Sequence, residues 1–174
     1  MVHAAYSSKK YQLNDETMTA QVAQALAASV RTLSAEQAGL LIYLHGDLGA
    51  GKTSFCRAFI QTYLPCQRVK SPTYTLMETY DTPSFPIYHF DLYRLCEPEE
   101  LVYLGARELM VAPFVALIEW PEKAKGFLPN ADIEIYLAVT GMGRTLQFVA
   151  HSVAALACVQ LLESHLCLDC DASN

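Results

Sequence analysis

Residues 46–53 have the sequence GDLGAGKT, whose residue types and spacing suit phosphate chemistry. Glycines in a short loop let the backbone take positive φ angles, so that successive amide groups point inward at an anion. Lys52 is then placed to reach the β- and γ-phosphates of a nucleoside triphosphate, and the Thr53 hydroxyl is placed to hold magnesium. The pattern predicts a nucleotide-binding loop. Its expected contact residues are Gly46, Asp47, Leu48, Gly49, Ala50, Gly51, Lys52, Thr53 and Ser54.

Two carboxylates are candidates for the acidic half of such a site. A nucleotide-binding loop needs a carboxylate at the end of a nearby strand, which holds magnesium or orients the attacking water. Asp91 follows the strand-like run 87–90, and Glu119 follows the apolar run 115–118. Because ligands of open α/β sheets collect at the carboxyl ends of the strands, both side chains are expected at the site. The alternatives are a solvated strand-end charge for Glu119, and a cap or an ion pair with Arg94 for Asp91.

Other residues near these positions carry weaker signals. Ser71 and Thr73 lie in a proline-containing loop between the predicted phosphate-loop helix and the next strand, where switch segments sense a γ-phosphate. A plain turn is the alternative for Thr73. His89 is expected in the core or on a strand face. Trp120 is expected to be packed, and the alternatives are that it stacks near the nucleotide or marks a partner surface.

The elements that must position these residues follow from apolar patterning. Residues 40–45 are mostly apolar and too few for an ordinary helix, so they are predicted to form a buried strand of a parallel sheet. After the loop, apolar residues recur at helical spacing until Pro65 ends the helix. The order strand, glycine loop and helix predicts an α/β fold of the single-domain P-loop NTPase type, with a mixed, mostly parallel central sheet flanked by helices.

The rest of the chain continues the α/β pattern. A short strand at 11–13 is predicted to precede a helix that is capped by Asn14 and ends near residue 32. The further predictions are a β-prone run ending at residue 80, strands at 85–92, 114–118, 133–139 and 144–150, and a closing helix at 153–166. A helix is also predicted to begin at Pro98, to break at Gly105 and to continue for a turn or two to about Met110. With no repeat or linker, the predicted domains are a flexible N-terminus at 1–10, a P-loop ATPase domain at 11–166 and a flexible tail at 167–174.

Composition and charge exclude several classes of protein. Of the 174 residues, 52% are hydrophobic and 17% are charged, which indicates one well-buried domain rather than a disordered chain. The net charge of −6 argues against a wide nucleic-acid-binding surface on this chain. The sequence lacks a signal peptide and a long apolar span, so a cytoplasmic protein with six reduced cysteines is expected. Cys167 and Cys170 have C-x-x-C spacing, but no second cysteine pair stands nearby in sequence, so a zinc or redox role is not expected there.

Four blocks of residues together resemble one family. They are GDLGAGKT at 46–53, KSPTYTL at 70–76, HFDLYRL at 89–95 and IEWPE at 118–122. In this order they resemble the bacterial ATPase subunit TsaE, which serves in making threonylcarbamoyladenosine in tRNA. The resemblance covers about residues 11–150, and the later blocks are more specific than the phosphate loop.

The resemblance implies a compact P-loop fold that binds ATP and magnesium and is a weak ATPase on its own. By family pattern, Thr53 and Glu119 are the expected magnesium ligands, and Asp91 is expected to be needed for hydrolysis. The acids Asp15 and Glu16 match a region that approaches the nucleotide base.

The resemblance also implies partner proteins. The family ATPase works with two other subunits, of the TsaB and TsaD type, which bind substrate and transfer the threonylcarbamoyl group to adenosine 37. Transfer RNA is then contacted only indirectly, and no membrane is involved. Segment 71–76 resembles the family's switch segment, so hydrolysis is expected to change this loop, reset the partner complex and support multiple turnover.

Two other functions fit a P-loop protein of this size. A small-molecule kinase needs an acceptor pocket and a mobile lid with several arginines, but the six arginines here are dispersed along the chain. A nucleotide-sensing interaction module needs binding alone. Product analysis distinguishes the kinase, because an ATPase releases phosphate to water. Equal support of repeated turnover by ATP and by a non-hydrolysable analogue would favour the module.

Overall fold

The structure, a computed structural model, describes residues 7–166, with side chains from residue 9 onward. The strands are β1 (Ser7–Leu13), β2 (Leu40–His45), β3 (Met77–Asp81), β4 (Pro86–Asp91), β5 (Val115–Glu119), β6 (Ile133–Thr140) and β7 (Gly143–Ala150). The helices are α1 (Glu16–Leu33), α2 (Lys52–Tyr63), α3 (Glu100–Tyr103), α4 (Ala106–Leu109) and α5 (Val153–His165), with short 3-10 turns at Ala35–Ala38 and Pro121–Ala124.

The strands form one seven-stranded mixed sheet in the order β1-β7-β6-β2-β5-β4-β3. The central strands β6, β2, β5 and β4 are parallel to one another. Every residue of β5 is buried, as expected for a strand that is covered on both faces. Antiparallel strands complete the sheet at its two edges. The predicted α/β fold with a mixed, centrally parallel sheet is confirmed.

Helices cover both faces of the sheet. On one face, α1, α2 and α5 bury residues such as Leu26, Phe59 and Leu162 in the larger core. On the other face, α3, α4 and the turn Pro121–Ala124 pack over a smaller core. Because side chains alternate along a strand, Asp91 and Glu119 lie on the same face of the sheet as α2.

The N-terminal elements differ from the prediction. β1 begins at Ser7 rather than at residue 11 and pairs along its whole length with β7, so residues 7–10 belong to the sheet and not to a flexible N-terminus. Helix α1 is capped by Asp15 rather than Asn14, because the Asp15 carboxylate accepts the backbone N–H of Met18 at 2.8 Å. Both residue types are good caps, so composition alone could not decide between them.

Beyond the N-terminal elements, the helices and strands follow the predicted order. The predicted break at Gly105 is confirmed, because Glu100–Tyr103 and Ala106–Leu109 form two short helices and Gly105 between them has a φ of 66°. The β-prone run before residue 80 enters the sheet only at Met77. Residues 1–6 and 167–174, with Cys167 and Cys170, lie outside the described part of the chain. The thiols of Cys56, Cys66, Cys96 and Cys158 are free.

Within residues 7–166, none of the helices combines the length and the apolar character that crossing a membrane requires.

A group of hydrogen-bonded side chains anchors the end of β2, directly before the phosphate loop. The Glu134 carboxylate lies 2.9 Å from Nε2 of His151 and 3.3 Å from Nε2 of His45. It also accepts the Tyr136 hydroxyl at 3.0 Å. Burial alone would raise the pKa of Glu134, but the hydrogen bonds from His151 and Tyr136 lower that pKa overall.

Glu134→Gln is expected to destabilise the protein by about 1–2 kcal/mol near neutral pH, because hydrogen bonds to a charged carboxylate are lost. The folded-state pKa of Glu134 lies below its ordinary value of 4.5, so proton uptake favours the unfolded chain. The stabilisation is complete above pH 4.5 and disappears as the pH falls through the lowered folded-state pKa. Urea unfolding at successively lower pH measures this trend. A difference between variant and wild type that stays constant down to acid pH would contradict it.

Candidate active site

The predicted phosphate loop joins the end of β2 to the first turn of α2. Its glycines Gly46, Gly49 and Gly51 have φ angles of 142°, 82° and 105°. The backbone therefore curls immediately before α2, and the positive N-terminal end of that helix faces the loop. A loop with this backbone directly before a helix N-terminus is suited to hold a phosphate.

Gly46→Ala is expected to cost more stability than Gly49→Ala. A Cβ at position 46 would lie 2.2 Å from the carbonyl oxygen of Leu137, whereas a Cβ at position 49 meets nothing within 4 Å. Both substitutions carry about 1–2 kcal/mol of left-handed strain. Only Gly46→Ala adds a backbone clash, which brings its cost to about 2–5 kcal/mol. Denaturant unfolding of the two variants measures the difference, and equal losses would contradict this packing.

Lys52, the first residue of α2, is 4% exposed. Its ammonium donates to the carbonyl oxygen of Gly46 and, at 3.0 Å, to that of Asp47. The same nitrogen lies 3.8 Å from the centre of the Trp120 ring. Burial lowers the pKa of Lys52, while the charges of Glu119 and Asp91 act in the opposite direction. The Lys52 ammonium is thus held against the loop. Because it is buried, it attracts a phosphate in the loop strongly.

Glu119 ends β5 and links it to α2. The Thr53 hydroxyl donates to its Oε2 at 3.0 Å, and Nε2 of His89 lies 2.8 Å from its Oε1. Only 2% of Glu119 is exposed. The carboxylate is therefore a fixed, buried group and not a solvated strand-end charge.

Asp91 ends β4 and stands beside Glu119 in the strand register. The hydroxyl of Ser71 donates to Oδ2 of Asp91, and Thr73 Oγ1 lies 3.4 Å from the same oxygen. The other oxygen accepts the backbone N–H of Tyr93 at 3.1 Å. The two residues predicted in the switch-like loop are thus tied directly to the second carboxylate.

A cavity of about 360 Å³ lies where these groups meet. It is lined by Leu48, Gly49, Gly51, Lys52, Thr53, Ser54, Ser71, Thr73, Asp91, Tyr93, Glu119 and Trp120. The loop, the buried ammonium and both carboxylates share this one space. The arrangement can bind a polyphosphate at its cationic side and a divalent cation at its anionic side.

Five residues predicted to bind nucleotide do not line the cavity: Asp15, Glu16, Gly46, Asp47 and Ala50. Gly46 and Asp47 act through their carbonyl oxygens, which hold Lys52. Glu16 accepts the Ser54 hydroxyl at 2.6 Å, so the start of α1 contacts the edge of the site. Contact of Asp15 or Glu16 with a nucleotide base stays a prediction.

The donor set fits magnesium. This cation prefers hard oxygen ligands, and the Thr53 hydroxyl and the Glu119 carboxylate already lie 3.0 Å apart on the phosphate-loop side of the cavity. Asp91 offers a further carboxylate from the neighbouring strand. The burial of both acids at 5% exposure or less also favours neutralisation by a cation.

Some site residues were not among the predicted binding residues. Trp120, which was expected to be packed, covers Lys52, and Tyr93 lies beside it with ring centres 5.0 Å apart. His89 is buried, as expected, yet its ring contacts Glu119. Alternation along the strand could have indicated that His89 lies near the site, because residues 89 and 91 share a face of the sheet.

A larger cavity, of about 660 Å³, is lined in part by His45. Its lining includes Tyr43, Glu122 and Glu134 but no predicted site residue. The smaller cavity is the candidate active site because the glycine loop and the carboxylates meet only there within the described residues.

The chain is similar to proteins of one family over most of its length. A family model described as "Threonylcarbamoyl adenosine biosynthesis protein TsaE" matches residues 13–146. A Haemophilus influenzae protein named tRNA threonylcarbamoyladenosine biosynthesis protein TsaE is 41% identical over 79% of this chain and 87% of its own length. The protein of the same name from Bacillus subtilis is 32% identical over 75% of this chain and 80% of its own length.

A solved structure gives the same likeness in three dimensions. The crystal structure of YdiB from Bacillus subtilis superposes with a TM-score of 0.76 and 26% sequence identity. The match covers 94% of this chain and 98% of that one.

Proposed function

The chain belongs to the TsaE family and takes part in threonylcarbamoyladenosine biosynthesis in tRNA, and on this premise we propose that it acts there as a magnesium-dependent ATPase. One observation carries the proposal: a glycine loop, a buried ammonium and two buried carboxylates line the same cavity. Amides and an ammonium suit a polyphosphate, and carboxylates suit its divalent cation.

Lys52 is proposed to offset the charge of the β- and γ-phosphates. The carbonyl oxygens of Gly46 and Asp47 orient its ammonium at the loop. Because Lys52 is buried, water screens its attraction for an anion only weakly. The carbonyl groups carry partial charges only, so the cation retains most of its attraction for a phosphate.

Thr53 and Glu119 are the residues that would hold magnesium at the phosphates, and Asp91 is proposed to orient or polarise the attacking water. The chemistry that magnesium supplies when bound is neutralisation of charge that develops on the phosphates. The contact between Thr53 and Glu119 supports a preformed pair of ligands. Asp91 lies next to Glu119 in the sheet and lines the same cavity, which supports its proposed role in orienting the attacking water.

Hydrolysis is proposed to act on partner subunits of the TsaB and TsaD type, so that the complex can modify tRNA through multiple turnovers. Ser71 and Thr73 bond Asp91, so a change at the phosphate can reach the loop that carries them. Tyr74, in the same loop, is 83% exposed, and Leu48 in the phosphate loop is 74% exposed. Exposed apolar side chains beside the cavity suit contact with another protein.

The negative net charge of the chain supports the proposal that tRNA is contacted through the partner subunits and not by this chain directly. The proposed location is the cytoplasm.

The test is the reconstituted modification reaction with both partner subunits, followed over several turnovers by release of phosphate and by formation of modified tRNA. ATP is expected to support repeated rounds with phosphate released to water. A non-hydrolysable ATP analogue is expected to stop the reaction after the first round. Repeated turnover with the analogue would contradict the proposal, as would transfer of phosphate to a small-molecule acceptor.

A further inference from the structure

His89 occupies a position where an imidazole ring is costly. It lies in the middle of β4 and is 0% exposed, the only fully buried histidine among residues 9–166. Its Nδ1 atom has no hydrogen-bond partner in the described part of the chain. A buried polar atom without a partner costs about 1–3 kcal/mol. A leucine or phenylalanine would fill the same space without that cost, so packing alone does not explain the ring.

Among the described residues, the one hydrogen-bond partner of the ring is Glu119. Nε2 lies 2.8 Å from Oε1 of Glu119, and a carboxylate oxygen accepts, so Nε2 carries the hydrogen of this bond. The two residues stand on the neighbouring strands β4 and β5, where His89 pairs with Leu117 and faces the same side as Glu119. The contact is therefore set by strand register, which makes it rigid.

The other oxygen of Glu119 faces the active site. Oε2 accepts the Thr53 hydroxyl at 3.0 Å, while Oε1 is held by His89. A carboxylate that is fixed at one oxygen cannot rotate freely about its last bond, so the direction of the second oxygen is fixed as well. The buried side chain of Cys56 packs beside this pair, since its Sγ lies within 4.8 Å of the His89 and Glu119 ligand atoms.

We propose that His89 is a positioning residue, which holds the Glu119 carboxylate so that Oε2 is presented to the cavity before any ligand arrives. The inference rests on the proposed function, in which Glu119 holds magnesium. Groups that orient a metal-binding carboxylate commonly change metal affinity by about 10–100-fold when they are removed. His89 does not contact the nucleotide-binding cavity itself and acts only through Glu119.

The test compares His89→Leu, His89→Gln and His89→Asn in the full chain. The measurement is calorimetric binding of a non-hydrolysable ATP analogue across a magnesium titration and also with the metal chelated. His89→Leu is expected to raise the magnesium concentration for half-maximal binding by about 10–100-fold and to leave metal-free binding nearly unchanged. The glutamine side chain is one carbon longer than that of asparagine, so its N–H group can take the place of Nε2. His89→Gln should therefore restore the wild-type magnesium dependence, and His89→Asn should not.

The matched control is His151→Leu, which removes a histidine from a carboxylate outside the active site. It should leave the magnesium dependence at the wild-type value. Wild-type magnesium dependence in His89→Leu would overturn the inference about His89 alone. If His89→Leu fails to fold, equal magnesium dependence of the glutamine and asparagine variants would overturn it. Absence of magnesium-dependent binding in the wild type would instead overturn the proposed function, and the inference with it.

Discussion

Lys52→Ala is expected to lower ATP hydrolysis by about 10²–10³-fold in the presence of both partner subunits, because it removes a preorganised charge at the phosphates. The effect is large since the ammonium is 4% exposed and held at the loop by two carbonyl oxygens. Steady-state phosphate release measures it. Repeated tRNA modification is expected to fail in the same variant.

The stability of the Lys52 variant separates lost chemistry from lost folding. Burial lowers the pKa of Lys52, so the charged side chain is held in the folded state at some cost. Its removal is therefore expected to leave the free energy of unfolding within about 1 kcal/mol of wild type. Lys123→Ala, at an exposed position, is the control and should keep full activity. Hydrolysis by Lys52→Ala at the wild-type rate would contradict the role of the ammonium.

Glu119→Ala is expected to abolish the magnesium dependence of hydrolysis and to lower the rate by about 10²–10³-fold. The substitution removes the carboxylate that bonds Thr53 and leaves Nε2 of His89 buried without an acceptor. Rates measured across a magnesium titration check this expectation. Nucleotide binding with the metal chelated should persist, because the loop and Lys52 are unchanged.

A nearby acid provides the control for Glu119. Glu122→Ala removes a carboxylate three residues later whose side chain is 51% exposed, lies 3.8 Å from Nδ1 of His45 and does not line the candidate active-site cavity. It should retain the wild-type rate and magnesium dependence. A Glu119→Ala protein that keeps both would show that Thr53 and other groups hold the metal without it.

Local patterns in the sequence were sufficient for the centre of the fold. The run 40–45, the glycine loop and the following helix each carry a short-range signal, and the structure has β2, the loop and α2 in those places. The proximity of Asp91 and Glu119 was also predictable, because both end strands whose carboxyl ends meet at one edge of the sheet.

Features that depend on long-range pairing were not predictable from those patterns. β1 extends back to Ser7 because β7 supplies its hydrogen-bonding partner over 130 residues later in the chain, as in the pair Ser7 with Ala150. The bonds of Ser71 and Thr73 to Asp91 likewise depend on how a loop folds over a strand end. The choice of Asp15 over Asn14 as the cap rests on one local hydrogen-bond geometry that composition does not encode.

The contact between His89 and Glu119 was predictable only in part from the sequence. Alternation along β4 places residue 89 on the face of residue 91, which is a signal available in the sequence. The distance of 2.8 Å, however, needs the register of β4 against β5, which the sequence pattern leaves open. A buried histidine two residues before a strand-end acid therefore indicates a shared face of the sheet, and the register of the neighbouring strand decides which carboxylate it contacts.

Calorimetric titration of the purified full chain with ATP and with a non-hydrolysable analogue shows whether a curled loop, one ammonium and a carboxylate-held cation meet around a triphosphate. The predicted result is saturable binding of one nucleotide per chain, tighter with magnesium than without it. Absence of any adenine-nucleotide binding, with or without magnesium and the two partner subunits, would contradict the account.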